Sequence, residues 1–154
     1  ILYSIKVIDF FGNEKEILAS DMKFDYRNSN LDHNLIITSV KLQGKTSSKK
    51  EIQKKQNLFM ERKKNAQPKQ VKTCGSTFKN AENKKAWELI KESNCQNLQV
   101  GNAKISDKHC NFFINKWKAT AKELEDLINK VKEKVYQKTK INLELEIKII
   151  GHNN

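Results

Sequence analysis

Cysteine, arginine and long apolar runs are all scarce in this 154-residue chain. Its three cysteines, Cys74, Cys95 and Cys110, are odd in number and far apart, and none forms a CxxC pair. His33, His109 and His152 are scattered too. That pattern argues against a disulfide framework and against a structural zinc site, so no metal is expected. It suits a reducing, cytoplasmic compartment. No stretch approaches ~18 apolar residues, which excludes a transmembrane helix. No secretory signal is visible in the opening ILYSIKVIDF, which reads as a strand. An initiator methionine is absent as well, so a fragment of a longer chain is expected. There is no GxGxxG, no Walker loop and no GxSxG elbow.

What the chain has in excess is lysine. Thirty Lys+Arg face 18 Asp+Glu, a formal net charge of +12, yet Arg27 and Arg62 are the only arginines. Readers of nucleic acid favour arginine for bidentate contacts to guanine and phosphate. A surplus of lysine beside abundant Asn and Ile reads instead as a solvated basic surface, so no nucleic-acid and no membrane partner is expected. A basic module for RNA, DNA or another polyanion is the alternative, and it predicts affinity that falls steeply with salt.

The hydropathy pattern gives a mixed architecture. Residues 1–9 alternate loosely and turn near Gly12-Asn13 into Glu16–Ala19, a hairpin. Leu35–Leu42 is a β-branched strand. Ser48 and Glu51 have capping-box spacing, and the helix behind them should turn Ile52, Phe59 and Leu58 inward and stop before Pro68, the only proline. Val71–Asn80 reads as a strand with a turn around Gly75. Asn83–Glu92 reads as a short helix with Ala86, Leu89 and Ile90 inward, and Asn94–Asn102 as loop. Asn111–Asn115 reads as a buried strand. Thr120 and Glu123 form a second capping box, followed by Leu124, Leu127, Ile128, Val131 and Val135 at helical spacing. Leu143, Leu145, Ile147 and Ile149 alternate with charged residues, which predicts a closing strand. The second half is therefore α+β, with helices on a small sheet.

Three places carry chemistry on local sequence. Ser76 follows Gly75 and precedes a lysine and an asparagine, an arrangement for binding a phosphate or delivering a proton, although a turn serine has the same look. Glu146 on the closing strand is a carboxylate for acid–base work or one more solvent-face charge. Arg27, in a polar loop of a lysine-dominated chain, suits a planar carboxylate partner, with a plain surface arginine as the other reading.

Five blocks, in order, resemble one family. Tyr26-Arg27-Asn28-Ser29 resembles YRxS. Gln67-Pro68 with Gly75-Ser76-Thr77-Phe78-Lys79-Asn80 resembles QP…GSxFKNP. Gly101-Asn102-Ala103 through Lys108-His109-Cys110-Asn111-Phe112-Phe113-Ile114-Asn115 resembles GGAxVSxKHANFIVN. Ala119-Thr120-Ala121 and Leu143–Gly151 resemble the following AT-helix and the closing LxxEVRxIG. These are motifs of UDP-N-acetylenolpyruvoylglucosamine reductases (MurB). The chain departs from them at Ala81, where the family has proline, at Cys74, and at Asn94, Asn97 and Asn102, where it favours glycine. Asparagine tolerates a left-handed backbone best among the other residues, so these turns should survive.

The resemblance implies an α+β fold and a flavin-dependent reduction. In the family NADPH reduces FAD, hydride passes to the enolpyruvyl ether of UDP-N-acetylglucosamine enolpyruvate, and the adjacent carbon is protonated. It implies catalytic roles for Ser76 as proton donor and for Arg27 and Glu146 around the substrate carboxylate. It implies substrate contacts at Lys79, Asn80, His109 and Tyr26. It further implies that residues 1–46 are the tail of an FAD-binding domain, 47–66 a connecting helix and 67–154 the substrate-binding domain. The glycine-rich flavin-binding half has no counterpart here, so the chain alone should not turn over. The implied partners are the UDP-sugar and a separate or missing N-terminal half, and a decayed or split gene product is a further reading.

Overall fold

The computed structural model describes residues 1–151; His152, Asn153 and Asn154, the last residues of the expected 67–154 domain, lie outside the described residues. The chain divides into two compact units, Ile1–Ile52 and Gln53–Asn154.

In the first unit β1 (Leu2–Ile8) pairs antiparallel with β2 (Glu14–Leu18). The expected turn is held by Asp9, whose carboxylate accepts from the backbone N–H of Phe11 and Asn13, each at 2.9 Å. Its second oxygen accepts from the Asn13 side-chain amide, and Gly12 supplies a φ of 87°. These hydrogen bonds, that of the Asn13 side chain foremost, hold the Asp9 carboxyl below its ordinary pKa. A 3-10 turn (Ala19–Asp21) leads to a minimal hairpin of β3 (Phe24–Asp25) and β4 (Asn28–Ser29). Then β5 (Ile36–Leu42) pairs with β1 on its other side, giving the order β2-β1-β5. Ser4, Ile5 and Val7 are the buried residues here, and every residue of β5 is exposed.

Helix α1 (Lys49–Ala66) starts where the capping box predicts, with the Glu51 N–H donating to Ser48 Oγ. The Glu51 carboxylate accepts from Ser47 Oγ and from the Ser48 backbone N–H, which closes the box. The expected inward face fails: Ile52 is 54% and Phe59 60% exposed, Leu58 is exposed too, and the helix buries no residue. The reason is in the spacing. Lys55 and Gln56 occupy the turn between Ile52 and Phe59, so no three-to-four-residue apolar stripe forms.

The second unit holds a four-stranded antiparallel sheet in the order β6-β9-β8-β7. Its elements are β6 (Lys72–Ser76), α2 (Ala86–Glu92), β7 (Gln99–Val100), β8 (Ala103–Ile105), β9 (Phe112–Asn115) and α3 (Ala121–Thr139). Helix α2 starts three residues later than expected, where Asn80 Oδ1 accepts from the Ala86 N–H and Glu88 accepts from the Lys85 N–H. The segment expected as loop contains β7 and a tight turn into β8. Gly101 in that turn has a φ of 52°, and a Cβ there would collide with the Glu123 carboxylate. Of the three asparagines in family glycine positions, Asn94 adopts a left-handed backbone, at φ 53°, while Asn97 and Asn102 do not.

Helix α3 follows its sequence signals closely. Thr120 Oγ1 accepts from the Glu123 N–H at 3.1 Å while Glu123 Oε2 accepts from the Thr120 N–H at 2.9 Å. Leu127, Ile128, Val131 and Val135 are buried against Leu89, Ile90, Ile105 and Phe113. The closing strand is the second correction. Leu143 is buried and Leu145 and Ile147 half-buried, as alternation predicts, but the ladder reduces to one bridge, Leu145 to Phe78. Phe78 lies beyond the end of β6, and the closing segment bends at Glu146 and Ile147, so the pairing does not extend into a ladder.

Helix α3 ends on Lys140 at φ 60°, the position where glycine carries no steric penalty. Replacing Lys140 with Gly should raise the stability of the second unit by about 1 kcal/mol, and Thr120→Ala should lower it by about as much. Both are read from the denaturant midpoint of tryptophan fluorescence, since Trp87 and Trp117 both lie in this unit.

Candidate active site

The residues expected to act fall in both units. Tyr26 and Arg27 belong to the first; Ser76, Lys79, Asn80, His109 and Glu146 belong to the second.

Tyr26 and Arg27 form the two-residue turn between β3 and β4, whose register pairs Phe24 with Ser29 and Asp25 with Asn28. Arg27 sits at φ 58°, a left-handed conformation that costs a non-glycine residue about 1–2 kcal/mol. Its guanidinium lies 5.5 Å from the centre of the Tyr26 ring. Arg27 lines a groove of about 620 Å³ whose walls include Phe24, Leu31, Leu35 and Ile37. A left-handed backbone at a non-glycine residue that lines a groove is the kind of strain found at functional sites.

In the second unit a bulge aims Ser76. Thr73 pairs with Ile114 and Ser76 with Phe112, so β6 carries Cys74 and Gly75 where β9 carries only Phe113. Gly75 takes a φ of 87°, which only glycine adopts without strain. Cross-strand partners share a face. The extra residue therefore puts Ser76 on the face of Phe112 and Ile114, opposite Phe113 and the core. An unbulged strand would have turned it the other way.

The closing segment brings Glu146 beside this strand end. The Glu146 N–H donates to the Thr77 carbonyl at 2.9 Å, and the Lys79 N–H donates to the Glu144 carbonyl at 2.9 Å. Ile147 lines the groove beneath β6 together with Thr77 and Phe113. Glu146 is itself half-buried. Lys79 spans the same pairing, its ammonium 3.4 Å from the Glu144 carboxylate. Asn80 caps α2.

Asn111 is what the sequence reasoning missed. It is 4% exposed, and its amide closes a ring on Phe78, accepting from the Phe78 N–H at 2.9 Å and donating to the Phe78 carbonyl at 2.8 Å. Its own carbonyl accepts from the Thr77 N–H at 2.8 Å. Asn111 thus fixes the backbone immediately after Ser76. A buried amide directly before two phenylalanines was the available signal.

His109 in turn fixes Asn111. Its Nδ1 accepts from the Asn111 N–H at 3.2 Å and its ring meets Phe112 edge-on, centroids 4.8 Å apart. Burial pushes the His109 pKa below the ordinary value, which agrees with an unprotonated, accepting Nδ1. His109 also lines a cleft of about 520 Å³ with Trp87, Lys91, Gln96, Lys108 and Cys110. Among the described residues no His, Cys, Asp and Glu set could hold a metal ion, and no helix is long and apolar enough to cross a membrane.

This α+β unit, with its bulge-presented serine and paired glutamate, coincides with a known domain. Residues 67–150 match the family model of the UDP-N-acetylenolpyruvoylglucosamine reductase C-terminal domain, and the chain belongs to that family. The reductase of Wolbachia sp. subsp. Drosophila simulans is 41% identical over 152 residues, 98% of this chain and 52% of the relative. That of Pelagibacter ubique is 43% identical over 153 residues, 97% of this chain and 51% of the relative. The crystal structure of the Thermus caldophilus enzyme (MurB) superposes with a TM-score of 0.83 at 33% identity, covering 96% of this chain and 52% of that one. The chain spans about half the length of the curated relatives it matches.

Removing the Asn111 amide in Asn111→Ala leaves both backbone groups of buried Phe78 unsatisfied. The second unit should lose about 2–4 kcal/mol by denaturant titration. A pH dependence follows from His109. Its folded-state pKa is depressed, so its contribution is complete above the ordinary value of about 6.5 and is lost as pH falls through the folded value. The side chain introduced by His109→Asn keeps an accepting oxygen near the same place without titrating. The stability lost by the native chain between pH 7 and pH 5 should therefore exceed that lost by the variant.

Proposed function

We propose that this chain is the substrate-binding half of a UDP-N-acetylenolpyruvoylglucosamine reductase, with residues 1–46 the tail of its flavin domain, 47–66 a connecting helix and 67–154 the substrate domain. The intact assembly would act in the cytoplasm, in the synthesis of peptidoglycan precursors. The observation that carries the reading is the bulge at Gly75, which turns Ser76 off the core face beside the strand end that Glu146 joins.

In this reading FAD and NADPH supply the reducing equivalents. The five glycines of the chain stand singly, so these residues do not fit the diphosphate of FAD, which takes a nest of successive backbone N–H groups. Most of the flavin-binding residues are expected outside this chain, which supplies the substrate side. After hydride reaches the vinyl carbon, the neighbouring carbon carries enolate-like charge delocalised into the carboxylate. The Ser76 hydroxyl gives its proton to that carbon. A serine hydroxyl is a weak acid, so it serves only a strongly basic centre and only when held rigidly. The ring of hydrogen bonds from Asn111 to Thr77 and Phe78 supports that rigidity. Arg27 offers a planar fork to the carboxylate, and Glu146 orients or donates to the same group. Lys79 and His109 line the substrate path, Tyr26 supports Arg27, and Asn80 fixes the start of α2.

The test combines this chain with the separately expressed N-terminal half of the Wolbachia relative. Turnover of UDP-N-acetylglucosamine enolpyruvate by the mixture is expected, and Ser76→Ala should cut it about 10²–10⁴-fold with flavin reduction by NADPH unchanged. Gly75→Ala, which strains the bulge without meeting any neighbouring atom, should follow Ser76→Ala in direction. Full turnover by Ser76→Ala would remove the proton-donor role.

A further inference from the structure

The loop between β9 and α3 has no part in the proton-transfer chemistry. Lys116, Trp117 and Lys118 follow one another there, all exposed, with Trp117 at 73%. A single exposed aromatic is ordinary on a protein surface. What sets this one apart is how the loop is held. The Asn115 side-chain amide closes a ring on Ala119: its Oδ1 accepts from the Ala119 N–H at 3.0 Å, and its Nδ2 donates to the Ala119 carbonyl at 3.3 Å. The Lys116 N–H donates to the Asn102 carbonyl at 3.0 Å, and Thr120 caps α3 directly afterwards. With the backbone fixed on both sides of Trp117, little further order is lost when the indole meets a surface.

The charge around the indole is of one sign. Lys116 and Lys118 flank it, and Lys72 stands across from Asn115 at the base of the loop. The nearest carboxylates along the chain are already engaged: Glu123 accepts from the Thr120 N–H, and Asp126 pairs with Lys122 at 3.7 Å. An amphipathic ring between cations suits the boundary of an anionic bilayer. Indoles settle at headgroup level, and lysine stems lie along lipid while their ammonium groups reach phosphate. A single-stranded nucleic acid is the other polyanion with an affinity for aromatics. It takes successive stacking rings along a basic groove, whereas this loop displays one ring, and its cations are lysines rather than arginines.

We infer that the 116–118 loop docks the protein on an anionic lipid surface, with Trp117 at headgroup level and Lys116, Lys118 and Lys72 against lipid phosphates. The lysine surplus, which taken alone reads as a solvated surface, is focused at this point by the indole. Lys72 begins β6 and Ser76 ends it, so the loop is separate from the proposed proton donor. The inference does not rest on the reductase reading.

The experiment mixes the 154-residue chain with vesicles of equal parts phosphatidylcholine and phosphatidylglycerol, or of phosphatidylcholine alone, and measures bound protein by sedimentation. Binding to the anionic vesicles only, weakening as salt rises, is expected. In Trp87→Phe, which leaves Trp117 as the one indole, anionic vesicles should shift the emission to the blue and brominated lipid should quench it. Trp117→Ala should weaken binding about tenfold. Lys116→Ala combined with Lys118→Ala should weaken it about twentyfold, since each lysine near an anionic surface contributes about fivefold. Lys54→Ala with Lys55→Ala removes the same charge from the exposed face of α1 and should cost far less. Circular dichroism and the denaturant midpoint report whether each variant folds. An equal loss in the folded α1 variant, Trp117 emission that brominated lipid leaves unquenched, or a folded native chain that binds no vesicles would overturn the docking point. A single-stranded oligonucleotide that displaces the chain from vesicles and itself quenches Trp117 would assign the loop to nucleic acid instead.

Discussion

One buried side-chain amide holds the end of β6 and the segment after it together. Asn111 saturates both backbone groups of Phe78 and accepts from Thr77 with its own carbonyl. In an apolar interior each of those groups would be expensive to leave unpaired, so the backbone after Ser76 has little freedom. Everything nearby is referred to that anchor. Phe78 takes its place in the core against Phe113, rings edge-to-face at 5.8 Å. Leu145 bridges to Phe78, which fixes Glu146 beside Thr77. His109 completes the arrangement from the other side by accepting from the Asn111 N–H.

The charge of the chain has a simple place in this picture. Most of the lysines stand on exposed faces, and the ion pairs they make are partly exposed ones, such as Lys104 with Asp107 at 2.8 Å and Lys41 with Glu16 at 3.3 Å. Such pairs contribute little to stability. The core is instead assembled from α2, α3 and one face of the sheet. Lys79 makes a pair of the same kind with Glu144 of the closing segment, and Lys91 and Lys108 line the cleft beside His109.

Local signals were readable where local physics decides. The Thr120–Glu123 box, the apolar stripe of α3 and the turn at Gly12-Asn13 depend on groups within a few residues of each other, and each formed as expected. Ile52 and Phe59 misled because an apolar pair seven apart resembles a helix stripe, while the residues between them are polar. The closing segment misled differently. Its alternation correctly placed Leu143 inward, but the segment bends at Glu146 and Ile147, after a single bridge from Leu145 to Phe78.

The sequence by itself determined the family, through short motifs whose residues keep their order and spacing, and it determined the elements whose hydrogen bonds are local. It also named Ser76, Glu146 and Arg27 as the residues to watch. Only the tertiary structure decided what places two of them: that Ser76 leaves the core face because a glycine adds one residue to a strand, and that the Glu146 backbone bonds to Thr77, the next residue along. It alone showed that Asn111 is the anchor and that His109 and Trp87 share a cleft. The physical reason is sequence distance. Asn111 and Glu146 bond to the backbone just after Ser76 only once distant segments pair, and no local pattern records which backbone groups a buried amide will satisfy.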